Sequence, residues 1–325
     1  MSRVTDRLLS RSLSYLFGEN GMRRFGIANV MRLAKSYNRV RYRERWNKHL
    51  AAYLAELPQL LQENGGPSFS PAKPRLKMKD GWALDTSRSL PHLDRLLAES
   101  SEVIEERGGR NYPGAQQPFL RGLLFPGDLE KYPSFLDFIL SPELLATAID
   151  YLGTIPVLSK TRPPGVRFME SNAKLDPGAG GAFRESQLYH LDLHDSPLVY
   201  VLVLLRDVTF ECGPWTFLPI SSSDRARKQL NYQRCGRSYR VTDEEMYRHI
   251  AKEEAIEFAY PRGTVLFIDS SRCFHFGSRN AISPRFMMMY GLTTPCRADF
   301  SMTFMPSHTY PTRPDDSRLR RMILE

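Results

Sequence analysis

His190 and Asp192 stand two residues apart in Tyr189-His190-Leu191-Asp192-Leu193-His194, and a further histidine, His275, follows much later in the chain. Two imidazoles and one carboxylate on one face of a metal, with open positions opposite, make the facial triad that suits iron(II) and oxygen chemistry. The spacing has a physical reason. If Gln187 to Leu193 is a strand, side chains two apart project to one face, so His190 and Asp192 reach one ion while Tyr189 and Leu191 point the other way. A lone His-x-Asp is also what polar residues at a strand edge produce, so the surrounding pattern has to add the weight.

That pattern is a series of short strands. Leu198 to Leu205 is a continuous apolar run rich in β-branched residues, of strand length and too short to cross a bilayer. Glu211-Cys212-Gly213-Pro214-Trp215-Thr216-Phe217-Leu218-Pro219 reads as a turn, a short strand and a proline stop. Gly263 to Asp269 is a strand entered through a glycine turn, leading to Cys273-Phe274-His275, and Arg285 to Leu292 is a further apolar strand with one charge at its start. Oxygenation of this type needs a dicarboxylic co-substrate whose keto acid end chelates iron and whose far carboxylate must be neutralised where water is largely excluded. Arg285, ten residues after His275, offers a planar, permanently charged fork for that carboxylate; taken alone it is also an ordinary solvated strand-edge cation.

From about Val166 to Leu292 the chain resembles the phytanoyl-CoA dioxygenase family of Fe(II)- and 2-oxoglutarate-dependent oxygenases. The residues that carry the resemblance are Asn172-Ala173-Lys174 before a Gly-rich loop, Tyr189 to Asp192, Gly213-Pro214 with Pro219, Gly263 to Phe267, and His275 with Asn280 and Arg285. The resemblance implies a mainly β fold with a helical buttress (α+β), its core a double-stranded β-helix or jelly roll. It implies that His190, Asp192 and His275 are the catalytic metal ligands and that Arg285 binds the C5 carboxylate of 2-oxoglutarate. The implied cofactor set is Fe(II), 2-oxoglutarate and O2, and the implied outcome is hydroxylation of a small or medium-sized organic metabolite with release of succinate and CO2. Two departures leave the ligands intact: Leu191 stands where glutamine is frequent and Tyr189 where tryptophan is frequent. Where some members place a serine that assists the arginine, this chain has Gly277 with Ser278 beside it. Retention of Asp192 favours oxygen insertion, since halogenating relatives replace that carboxylate with a small residue.

Other residues leave two readings each. His194 is a residue next to the metal site or a substrate-facing one; Lys174 and Asn172 bind co-substrate or an anionic substrate group, or are solvated polar residues at a loop edge. Trp215 and Phe217 line a pocket or belong to the core. Met287-Met288-Met289 is most simply strand packing, methionine filling irregular gaps. The polar stretch from Ser221 to Lys252 is a lid over the site or a surface loop.

Composition bounds the rest. At 325 residues the chain can bury a full core, and one oxygenase domain over 75–325, its core at about 155–305, with a basic helical extension over 1–64, fits better than two independent domains. In that extension Leu8, Leu9, Leu16 and Phe17 alternate with Arg7 and Arg11, and Tyr37 to Leu57 reads as a helix stopped by Pro58 and dense in arginine. Helices are expected at Leu90 to Glu106 and Pro142 to Leu152, with a linker at Gly65 to Pro74 and a loop at Gly108 to Pro118. The net charge of +9 suits an anionic small-molecule substrate, and less directly a nucleic acid or membrane surface. Four cysteines without Cys-x-x-Cys spacing point to free thiols and a cytoplasmic setting, with mitochondrial targeting as the alternative. No P-loop or zinc-finger spacing occurs. Two other functions stay open: a jelly-roll binding module that retains a metal without turnover, and a protein hydroxylase.

Overall fold

The computed structural model describes residues 19–65, 76–110, 117–232, 234–305 and 307–325. The expected helix around Leu8 to Phe17, the 66–74 part of the linker and residues 111–116 of the loop lie outside them. The strands, in chain order, are β1 (Trp82–Asp85), β2 (Leu120–Gly122), β3 (Val157–Leu158), β4 (Val166–Ser171), β5 (Val199–Leu204), β6 (Trp215–Phe217), β7 (Ile256–Phe258), β8 (Val265–Asp269), β9 (His275–Phe276) and β10 (Arg285–Thr293). A seven-stranded antiparallel sheet runs β1-β8-β5-β10-β4-β2, with β3 paired to β10, and a three-stranded sheet runs β7-β6-β9.

The central strands β5, β8 and β10 read as nearly continuous apolar runs because both of their faces are covered. On β5, Val199, Val201 and Val203 turn to a cluster shared with the helices, whereas Tyr200, Leu202 and Leu204 turn to a second cluster shared with the small sheet. β10 alternates in the same way: Phe286, Met288 and Tyr290 face the helices, and Met287 and Met289 face the small sheet. In register, Arg285 lies opposite Ser171, Met287 opposite Met169 and Met289 opposite Arg167. The face that carries the candidate chemistry is therefore the one turned away from the helices.

Those helices are a larger part of the molecule than the sequence reading allowed. Helix accounts for about 40% of the described residues against 17% strand, and neither sheet closes into a barrel or curls strongly. The expectation of a mainly β, jelly-roll fold is thus corrected: the structure is a helix-rich arrangement of two open antiparallel sheets. The physical reason is coverage. The three short strands of the small sheet face only one side of the large one, and the apolar residues on its other side need helices to remove them from water. Pro142–Leu152 and Ser134–Ile139 supply much of that cover, with Leu144, Leu145, Phe135 and Phe138 fully buried.

The N-terminal helices also differ from expectation. One helix runs Ile27–Arg41, the chain breaks at Tyr42, and a second runs Arg43–Gly65 straight through Pro58. Proline removes a backbone hydrogen bond, but Leu60 and Leu61 beyond it are buried in the main core, and that packing carries the helix past the interruption. Leu93–Arg107 is the helix expected at Leu90 to Glu106, and the lid-or-loop segment begins with the helix Ile220–Gln229. Among the described residues no helix is long and apolar enough to cross a membrane.

Asp269, at the end of β8, shapes the turn that leads to His275. Its fully buried carboxylate accepts from Ser271 N at 3.1 Å, Ser271 Oγ at 2.6 Å, Tyr151 Oη at 2.7 Å and Leu198 N at 3.4 Å. Removing it leaves several buried donors without an acceptor, each costly in a region without water. Asp269→Ala is expected to cost about 3 kcal/mol, read as a lower urea midpoint at unchanged slope.

Candidate metal centre

His190 and His275 come together through the backbone. His190 N donates to His275 O and His275 N donates to His190 O, both at 3.0 Å, an isolated antiparallel bridge. The segment expected to be a strand from Gln187 to Leu193 is instead a 3-10 turn at Glu185–Gln187 followed by single bridges at Tyr189 and His190. Asp192 is fixed separately, its N–H donating to Ser270 O at 2.9 Å in the turn that Asp269 organises. The three candidate ligand atoms of His190, Asp192 and His275 lie within 4.8 Å of one another.

Each imidazole is also oriented. His190 Nδ1 lies 2.8 Å from Leu188 O and His275 Nδ1 lies 2.9 Å from Cys273 O. A carbonyl oxygen only accepts, so both Nδ1 atoms carry the proton and both Nε2 atoms present a lone pair. Burial holds both rings below the ordinary histidine range, which keeps them neutral. For Asp192 burial pushes the carboxyl up, but His275, His194, His190 and Ser270 outweigh it and hold it below the ordinary carboxylate range. Asp192 Oδ2 lies 3.5 Å from His275 Nε2. Trp215 stacks on the His275 ring, with centroids 4.6 Å apart and planes at 26°. Two neutral imidazole nitrogens and an ionised carboxylate oxygen, converging from fixed positions, are a donor set that fits iron(II).

The triad opens on a cleft that is also lined by Arg285, Ser278, Met287 and Met289. Arg285 is 3% exposed. Its Nη1 donates to Gly213 O at 2.7 Å and its Nη2 to Ser278 Oγ at 3.2 Å, while its Nε is buried without a partner. Among the described residues no carboxylate forms an ion pair with it, and burial pushes its pKa down to about 10. Two glycines shape the backbone around it, and Gly277 leaves it room. Gly213 has φ +58° and a Cβ there would meet Arg279 O at 2.5 Å, and a Cβ on Gly277 would sit 3.1 Å from Trp215 and 3.4 Å from Arg285 Nη2. The hydroxyl beside the arginine is that of Ser278, in the left-handed region at φ 64°.

Neither a protein-family model nor a curated protein matches the chain. Similar solved structures include the non-heme α-ketoglutarate-dependent carbocyclase SnoK from nogalamycin biosynthesis, at 18% identity over 66% of this chain and 80% of that one, TM-score 0.42. The epimerase SnoN, in complex with Fe3+, α-ketoglutarate and nogalamycin RO, is 14% identical over 73% of this chain and 84% of its own, TM-score 0.43. EctD from S. alaskensis, with 2-oxoglutarate and 5-hydroxyectoine, is 14% identical over 71% and 80%, TM-score 0.42. Likeness at this distance carries no argument about the site, which rests on the chain's own side chains.

The other residues singled out in the sequence fall in different places. Asn172 is buried but donates its amide to Glu170 Oε1 at 2.9 Å and accepts from Lys174 N at 3.0 Å; Lys174 is exposed, and neither lines the cleft. His194 stands outside the ligand cluster, its Nε2 3.0 Å from Tyr200 Oη. Trp215 lines the cleft, whereas Phe217 is in the core beside it. Sequence reasoning passed over Arg167 and Tyr200, which both line the cleft. The signal was there: each carries a polar group at the inward parity of its strand, Arg167 in step with Met169 and Tyr200 in step with Leu202.

Binding of one equivalent of Co(II), a spectroscopic substitute for iron(II), should raise the melting temperature of the native protein. Asp192→Ala should weaken that binding by about a hundredfold, since a charged ligand is lost; equal affinity in the variant would place the metal elsewhere.

Proposed function

We propose that this protein is an Fe(II)- and 2-oxoglutarate-dependent dioxygenase, similar to the phytanoyl-CoA dioxygenase family, that hydroxylates a small organic metabolite. The observation that carries the reading is a buried guanidinium without a carboxylate partner, Arg285, in the same cleft as a two-histidine, one-carboxylate triad. His190, Asp192 and His275 would hold the iron and leave the opposite positions open. With O2 as the oxidant, iron and 2-oxoglutarate, when bound, would supply the chemistry: one oxygen atom goes into a substrate C–H bond and the other into succinate, with CO2 released.

The chain's own residues provide position and electrostatics. Arg285 takes the far carboxylate of the co-substrate, its buried Nε still free to donate and Ser278 Oγ holding its Nη2 end. Gly213 O orients Nη1, so the fork is fixed before any ligand arrives, which lowers the ordering cost of binding. Met287 and Met289 make an apolar floor that limits water and strengthens the charge-assisted contacts. Trp215 holds the His275 ring in one plane. The catalytic unit is the segment 75–325, on which the helices of residues 27–65 pack, and the unpaired thiols suit a reducing, cytoplasmic setting.

Succinate release from 2-oxoglutarate, dependent on Fe(II) and O2 and measured before a primary substrate is known, tests the reading. Asp192→Ala should abolish turnover, and Arg285→Gln should raise the apparent KM for 2-oxoglutarate about ten- to a hundredfold, the loss of one or two charge-assisted hydrogen bonds. Turnover that survives Asp192→Ala would exclude this site as its source.

A further inference from the structure

Among the described residues Arg285 is not the only cation in the cleft without a counter-charge. Arg167 lies on β4 opposite Met289, and Arg285 lies opposite Ser171 four residues further along the same strand. At the usual rise per residue their backbones are about 13 Å apart along the sheet. Both line the one cleft, with the methionine floor between them. The Arg167 guanidinium lies over the Tyr200 ring, 4.9 Å from its centroid, and Tyr200 Oη is tied in turn to His194. Arg167 Nε is buried without an acceptor, and among the described residues no carboxylate forms an ion pair with this side chain.

Among the described residues Asp192 is the one carboxylate that lines the cleft, and it belongs to the triad. Arg240, next to the Tyr189–Val241 bridge, adds a further guanidinium with Nε and Nη1 buried and unpartnered. Its charge and that of Arg167 both act on His275. Partial burial of cations without counter-charge is costly, so charge balance is informative. On the dioxygenase reading, iron(II), the Asp192 carboxylate, dianionic 2-oxoglutarate and Arg285 cancel formally. Arg167 and Arg240 remain in excess.

We propose that Arg167 anchors an acidic group, a carboxylate or a phosphate, of the primary substrate. The substrate class is then an organic anion held at the end of the cleft away from Arg285, its reacting carbon between that anchor and the metal. Arg167 presents a fork to the anion while the Tyr200 ring fixes its plane, an arrangement lysine does not reproduce. Arg240 adds positive field at His190 and His275 and favours the same sign of ligand. The proposal rests on the dioxygenase reading for the role of the bound anion, and on Arg167 alone for its place.

The test is an anaerobic titration, followed by ligand-observed NMR, of the protein loaded with Fe(II) and 2-oxoglutarate. The probes are butyrate and butyl phosphate, with butyramide as the neutral control. At least one anion should bind where the amide does not, and Arg167→Gln should weaken it by about tenfold or more, with Arg167→Lys recovering part of the loss. A preference between the two anions identifies which acid the substrate carries. No anion binding to the native protein, equal binding of butyramide, or equal affinity in a folded Arg167→Gln would overturn the proposal. If 2-oxoglutarate itself does not bind, or binds equally to Arg285→Gln, the dioxygenase reading falls instead, and the same titration without 2-oxoglutarate still decides Arg167.

Discussion

The two reciprocal hydrogen bonds between His190 and His275 are the constraint on which the site depends. They join two segments far apart in sequence at a single residue pair, and they do so outside any long strand. That bridge sets the distance between the imidazoles, and the carbonyls of Leu188 and Cys273, each two residues before its histidine, set their rotation. Asp192 is held by a different partner, the Ser270 carbonyl, in the turn that the buried Asp269 organises. The triad is thus fixed from the backbone outward, and the side chains have little left to choose.

The second organising feature is charge placed where water is scarce. A sheet with two apolar faces has its outer face covered by helices and its inner face turned to a narrow cleft, so a cation on the inner face is partly desolvated by position alone. Arg285 and Arg167 occupy the two ends of that face in the same β4–β10 register. The fold tolerates them because backbone carbonyls, Ser278 Oγ and the Tyr200 ring satisfy part of each guanidinium. What remains unsatisfied on each is the deficit that the proposed anionic ligands would fill.

The sequence made the chemistry easier to read than the architecture. The strands β5, β8 and β10 were visible as apolar runs of the right length, since burial on both faces leaves no polar interruption. The His-x-Asp pair was visible through its spacing, yet its local structure was not a strand: the bridge that aligns His190 depends on His275, a contact that no local pattern encodes. Helical content was underestimated because the family resemblance spans only Val166 to Leu292, and the helices lie mostly before it. Pro58 was read as a stop, but the burial of Leu60 and Leu61 in the distant core overrides that local signal. Asn172 and Lys174 illustrate the reverse limit, as a motif adjacent in sequence to the site whose side chains the structure directs to Glu170 and to solvent.

The most direct test of the central claim is the anaerobic visible spectrum of the iron(II)-loaded protein on addition of 2-oxoglutarate. Chelation of iron(II) by a 2-oxo acid gives a metal-to-ligand charge-transfer band, and the account predicts that band in the native protein and its loss in His275→Ala. Iron bound without any spectral response to 2-oxoglutarate, or an undiminished band in His275→Ala, would contradict it.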